Sequence, residues 1–291
     1  MGVSFREEFR CSNFLFSYSQ PNKFTRPQWR IPQWLYLVWR LFWAAWNFAW
    51  IVYSIKLATD QALYAGAGAK WLIYLTNLSY LILTVQSILH LVIVIIYICR
   101  EKSSGSLDYA QGSIQWYMKA LWLLTTVGFD IAIIVTVLFW SLVFKELNSI
   151  VTVMVHGVNS LYVLLDIFII ATPVRLLHFI HPVIYGAAYI IFTVIYHVAH
   201  GTGPSSEPYI YKVLDWSSPG PAIGVSLGIL LVAIPLIHLL QFGLYILRVY
   251  ILETCRCCKS CPEVRDDACR CCRRLRQVRV QPGNEEIVER V

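Results

Sequence analysis

Thr76 and His156 are the residues best suited to chemistry in this chain, each near the start of a long apolar stretch. An imidazole can take the proton of a hydroxyl and make it a nucleophile when its other nitrogen is held. Asn159, about one helical turn beyond His156, is placed to orient that ring or to donate to an oxyanion. Such a pair would work by nucleophilic attack, with no metal or organic cofactor. Tyr74 and Ser79 are competing hydroxyls on the same stretch. Thr, Ser, Asn and His also hydrogen-bond between membrane helices simply to hold them together, and spacing alone leaves both readings open.

Any such pair has to be positioned by helices in lipid. The 291 residues are 57% hydrophobic and 14% charged, against about 45–50% and about 25% in soluble domains. One soluble core cannot bury that apolar excess. Eleven Trp and seventeen Tyr suit the two interfaces of a bilayer. A span takes about 20 apolar residues, and six stretches qualify: 34–57, 71–99, 117–143, 149–171, 177–199 and 222–252. Ser103-Ser104-Gly105-Ser106, Pro173 and the run Gly201 to Ser206 break them with turn residues. The short link Lys145-Glu146-Leu147-Asn148 predicts a tight hairpin between the third and fourth spans. The expected fold is an all-α membrane bundle of six transmembrane helices over 34–252, between an N-terminal segment (1–33) and a tail (253–291). The N-terminal segment shows no signal-peptide pattern, so the first span is expected to direct insertion.

Basic residues give the orientation. Seventeen Lys and Arg fall before the first span, in the 2–3 and 4–5 loops and in the tail, against Lys70, Lys145 and Lys212 on the other side. Cytoplasmic loops are enriched in Lys and Arg, which predicts that both termini are cytoplasmic. The net charge of +7 therefore points to the membrane face, not to nucleic acid. Seven cysteines crowd the tail: Cys255, Cys257, Cys258, Cys261, Cys269, Cys271 and Cys272. Juxtamembrane cysteines among basic residues suit palmitoylation, and the interleaved Arg would add attraction to anionic lipid. Two CxxC pairs, Cys258/Cys261 and Cys269/Cys272, admit a zinc reading at a separation shorter than usual, and an unmodified basic tail is the third reading.

Ionisable groups within a membrane are costly and usually face the bundle interior. Thr76, Ser79, Gln86, Ser87 and His90 fall near one face of the second span. Thr126 and Asp130 share a face of the third, and Thr152, His156, Asn159, Ser160 and Asp166 stripe the fourth. The simplest packing points all three stripes inward. Thr76, about five residues into its span, and His156, about seven into its own, lie roughly 8 and 10 Å deep at about 1.5 Å per residue. Asp130 and Asp166 could mark a proton path, although no repeated halves suggest a transporter. His178 and His181 beside Arg175 suit a lipid phosphate or plain interfacial solvation. No phosphate-binding loop, nucleophile elbow or HExxH motif occurs.

The Trp-rich start of the first span, Trp71-Leu-Ile-Tyr-Leu-Thr76-Asn77, His156-Gly-Val-Asn159-Ser160 with Leu164-Leu165-Asp166, and Tyr209 with Val213-Leu214-Asp215-Trp216-Ser217-Ser218-Pro219-Gly220 together resemble the rolling stone family of animal membrane proteins. The likeness runs between residues 25 and 250 and implies a part in myoblast fusion or membrane organisation. Plasma-membrane residence is expected over the endoplasmic reticulum, with Asp215 and Trp216 exposed at the outer interface. A more distant likeness is to the androgen-induced transmembrane hydrolases, which cleave fatty acid esters of hydroxy fatty acids with an intramembrane Thr and His. It implies Thr76 as nucleophile and His156 as general base, with Asn159 in support. The expected partners are membrane lipids, with a lipid ester as substrate in the second case.

Overall fold

The computed structural model describes residues 8–60, 68–104, 112–143, 150–203 and 206–260. Six helices among them are long and apolar enough to cross a membrane, and no β-strand occurs among the described residues. In hydrocarbon every backbone polar group must be satisfied within the protein, which selects helices for such sequences.

Helix α1 runs Gln33–Asp60 and α2 Leu75–Ser104. Helix α3 spans Trp116–Leu138 and ends in a π-helical turn, Phe139–Val143. Helix α4 joins Ile150–Val153, a π turn at Met154–Val158 and Asn159–Ile169. Helix α5 is Ile180–Val198, led in by a 3₁₀ turn at Leu176–Phe179. Helix α6 joins Pro219–Gly228, a third π turn at Ile229–Ala233 and Ile234–Ser260. The described residues up to Tyr245 form one compact unit, and the stretch of α6 beyond Tyr245 belongs to another.

Helix α3 is the central stave. It packs on α2, α4 and α5, and 67% of its most apolar window is buried, against 22% for the fifth span. Helices α1 and α2 pair, and α5 meets the π turn of α6. That last contact is close: a Cβ on Gly186 would stand 3.0 Å from Ile234 Cδ1 and 3.1 Å from Leu230 Cδ2, so the glycine sets the spacing.

The N-terminal segment seals the end of the bundle where α4 stops. The last carbonyls of a helix lack intrahelical donors. Here Gln28 N donates to Ile169 O at 2.8 Å and Trp29 Nε1 to Phe168 O at 2.6 Å. Glu8 holds the start of the fifth span, pairing with Arg175 at 3.0 Å and accepting from Leu176 N at 3.3 Å. At the opposite, loop end, the connection from α5 to α6 folds back on the bundle. Lys70 Nζ reaches Thr202 Oγ1 and Gly203 O, both at 3.0 Å, and Trp216 Nε1 donates to Thr193 at 3.1 Å.

Several local expectations change. The second span begins at Leu75, because Ala69–Ile73 form a 3₁₀ turn and Tyr74 is extended. Ser103 and Ser104 are still helical. Trp216 is half-buried against α5 instead of exposed; Asp215 is half-buried too, and its carboxylate accepts from Ser217 N at 2.9 Å in the turn into α6. His178 is fully buried beside Phe16 and Trp122, with ring centroids 4.5 and 4.9 Å away, so interfacial solvation does not describe it. The expected hairpin link and Cys261, Cys269, Cys271 and Cys272 lie outside the described residues, while Cys255, Cys257 and Cys258 fall on the last turns of α6.

Candidate functional site

The inward polar stripes form two buried ionic clusters and a set of cross-links. Arg40 of α1 and Asp166 of α4, 1% and 0% exposed, make a two-armed ion pair. Trp39 Nε1 adds a third donor to Asp166 at 2.8 Å. Arg40 Nη1 also lies 3.0 Å from His90 Nδ1. A guanidinium only donates, so Nδ1 accepts and His90 carries its proton on Nε2, directed at Tyr36 Oη 3.0 Å away. Gln86 ties α2 to Thr125 of α3 at 3.1 Å and to Tyr162 of α4 at 3.3 Å.

The second cluster joins α3 to α6. Asp130 Oδ2 lies 2.6 Å from His238 Nδ1, and His238 Nε2 lies 2.9 Å from Arg175 O. A carbonyl only accepts, so Nε2 carries a proton. The Nδ1–Oδ2 link then holds one more, and the pair is neutral overall wherever that proton rests. Asp130 and Asp166 thus have separate partners, and no hydrogen bond joins them.

At the loop end lies an apolar cavity of about 80 Å³. Ile131, Ile134 and Val135 form its floor on α3, Phe139 and Ile229 enter from two of the π turns, and Tyr211 and Leu214 of the α5–α6 loop roof it. Its polar groups are the hydroxyls of Thr76, Tyr189 and Tyr211. Tyr189 makes the local break in α2: its hydroxyl donates to Ile73 O at 2.8 Å and accepts from Leu75 N at 3.2 Å. Tyr211 lies beside the Thr76 side chain and backbone, and burial pushes its phenol up, against the pull of those neighbours. π turns insert an extra residue into a helix and are frequent at functional sites.

The three residues singled out for chemistry have different settings. Thr76 is the second residue of α2 and lines the cavity. His156 sits in the π turn of α4, face to face with Phe139 at 3.6 Å between ring centroids, with its Nδ1 buried and without a hydrogen-bond partner. Asn159 accepts from Thr136 Oγ1 at 3.2 Å and from Ser160 N at 2.7 Å. Among the described residues no hydrogen bond joins Thr76 to His156, while Phe139 touches the imidazole and also lines the cavity. Sequence reasoning passed over His238, Gly186, Tyr189 and Tyr211. His238 was findable as an ionisable residue inside the sixth span; the others carry no spacing signal.

Fold and site together define a multi-pass helical membrane protein whose ionisable groups are buried between its helices, with an apolar cavity near one end. A family model described as Protein rolling stone matches residues 1–261, and the chain belongs to the rolling stone family. The protein rolling stone of Drosophila melanogaster is similar to it, 28% identical over 255 residues, with 84% of this chain and 90% of that protein covered. No solved structure matches.

Proposed function

We propose that this chain acts in the plasma membrane in cell fusion of the myoblast kind, with both termini in the cytoplasm, by organising lipids and partners within its own membrane. The observation that carries this reading is the loop end. Its longest described connection is held down by Lys70 and Trp216 and offers little reach toward a second cell. Family membership supports the fusion context, and the Lys/Arg asymmetry supports the orientation. The test uses fusion-competent cells lacking their own relative, with content mixing between two labelled populations. Expression of the chain is expected to restore mixing, and a soluble peptide of residues 199–218 to leave it unchanged. No restoration would sink the proposal, and inhibition by the peptide would make the loop an adhesion element.

A second reading has one favourable observation, the place of Thr76 on the cavity. In it the chain is a hydrolase of fatty-acyl esters, with Thr76 as nucleophile, His156 as general base and Asn159 in support. A lipid-like fluorophosphonate should then label the purified protein, and Thr76→Ala and His156→Ala should each abolish labelling while the protein stays folded. Absence of wild-type labelling, or equal labelling of Thr76→Ala, removes this reading.

A further inference from the structure

The cavity has no charged residue on its wall, and its hydroxyls gather around Thr76 and Tyr211. Water needs two to four polar partners to occupy a buried site, so the apolar part suits carbon. At about 80 Å³ it is about half the size of the engineered ~150 Å³ apolar cavity that stays dry and binds benzene. That space takes a few carbons of a chain, not a whole lipid. Leu142 on the wall is 52% exposed, on a face that bilayer lipid would cover, whereas loop residues close the end. The way in is therefore sideways from lipid.

A further observation points to a ligand with a polar group. Tyr185, next to the wall residue Gly186, has its hydroxyl oxygen buried with no close hydrogen-bond partner, Ser79 being the nearest candidate and Tyr211 lying nearby. Buried hydroxyls are normally satisfied. A carbonyl or hydroxyl arriving at this end would meet donors from α2, α5 and the loop.

We infer that the cavity holds a segment of one acyl chain of a membrane lipid, taken sideways from the bilayer, with the lipid's carbonyl set against the Thr76 and Tyr211 hydroxyls. This site stands independently of the fusion reading. It requires no bond to be broken, so it is also independent of the hydrolase reading. The chain can come from an esterified lipid or from a free fatty acid.

The test uses the full chain in phosphatidylcholine nanodiscs carrying a trace of phosphatidylcholine with a diazirine on its acyl chain. After irradiation, labelled peptides are mapped, and labelling within 131–142 and 211–214 is divided by labelling at exposed Leu161 and Leu164 of α4 in the same molecules. Wild type is expected to show a ratio well above one. Leu142→Trp, at the exposed mouth, should bring it to the lipid-facing background. Tyr211→Phe removes one hydroxyl and should lower it about two- to tenfold, the effect of one net hydrogen bond. Competition by lysophosphatidylcholine but not oleate assigns an esterified lipid, and the reverse assigns a free fatty acid. A wild-type ratio near one, a ratio unchanged in both variants, or displacement by cholesterol alone would overturn the inference. The internal ratio and the conservative Tyr211→Phe keep the test decisive if the tryptophan variant misfolds.

Discussion

Asp166→Asn is expected to destabilise the bundle by about 3–5 kcal/mol, the usual cost of breaking a buried ion pair from one side. Arg40 and Asp166 are 1% and 0% exposed, and a guanidinium cannot escape by losing its proton. The asparagine would keep the volume but leave that charge opposed by a neutral amide. It would also weaken the acceptor for Trp39 and disturb the hold of Arg40 on His90. Three helices meet at this point, because Arg40 lies on α1, His90 on α2 and Asp166 on α4. Arg40→Lys should also be costly, since one ammonium cannot satisfy both carboxylate oxygens and the imidazole. The double change Arg40→Met with Asp166→Leu should recover part of the loss, because replacing both charges removes the orphan. Recovery stays partial, since His90 Nδ1 then loses Arg40 and Trp39 Nε1 loses Asp166. Equilibrium unfolding of purified protein in mixed SDS micelles reads all three variants. An Asp166→Asn protein as stable as wild type would mean that the pair does not bind the helices together.

Much of this architecture is legible in composition. Six spans can be read because lipid demands long apolar runs, and the inward stripes can be read because a helix repeats every 3.6 residues. Thus Gln86, Ser87, His90, Asp130, Asn159 and Asp166 are all buried, as the spacing predicted. Partnership is a different matter. Arg40 and Asp166 are 126 residues apart, and no local pattern in either helix names the other. The start of α2 was missed because Trp71 to Leu75 is an unbroken apolar and aromatic run with no Gly or Pro. Its break is imposed by the Tyr189 hydroxyl from α5. Depth counting for Thr76 and His156 assumed regular helices, whereas one residue begins a helix and the other sits in a π turn. An extra residue in that turn changes where its side chains point, and nothing in Met154–Val158 announces it. The cavity was hidden for the same reason, since its walls are ordinary aliphatic residues whose convergence is tertiary.

The second buried acid should respond far less to the same substitution. Asp130→Asn is expected to cost about 1 kcal/mol or less, within the range of one net hydrogen bond. His238 donates from Nε2 to Arg175 O, which leaves Nδ1 to complete its link with residue 130. With asparagine there, the amide nitrogen can donate to an unprotonated Nδ1, and the neutral imidazole keeps both contacts. No charge is stranded, because this pair carries its one shared proton within a neutral whole. His238→Leu is the severe change, expected to cost about 3 kcal/mol. It leaves Asp130, 0% exposed, without its only described partner and removes the shorter of the two hydrogen bonds at Arg175 O, which keeps His178 N at 3.2 Å. Asp130→Leu combined with His238→Leu should recover most of the difference between the two. The measurement is the same unfolding series, with Asp130→Asn and Asp166→Asn compared side by side. Equal losses in the two would mean that His238 is held as an imidazolium requiring a carboxylate, and that the two clusters are ion pairs of one kind. A small loss at residue 130 beside a large one at residue 166 would establish two different devices: a fixed charge pair joining α1 to α4 and a proton-sharing link joining α3 to α6.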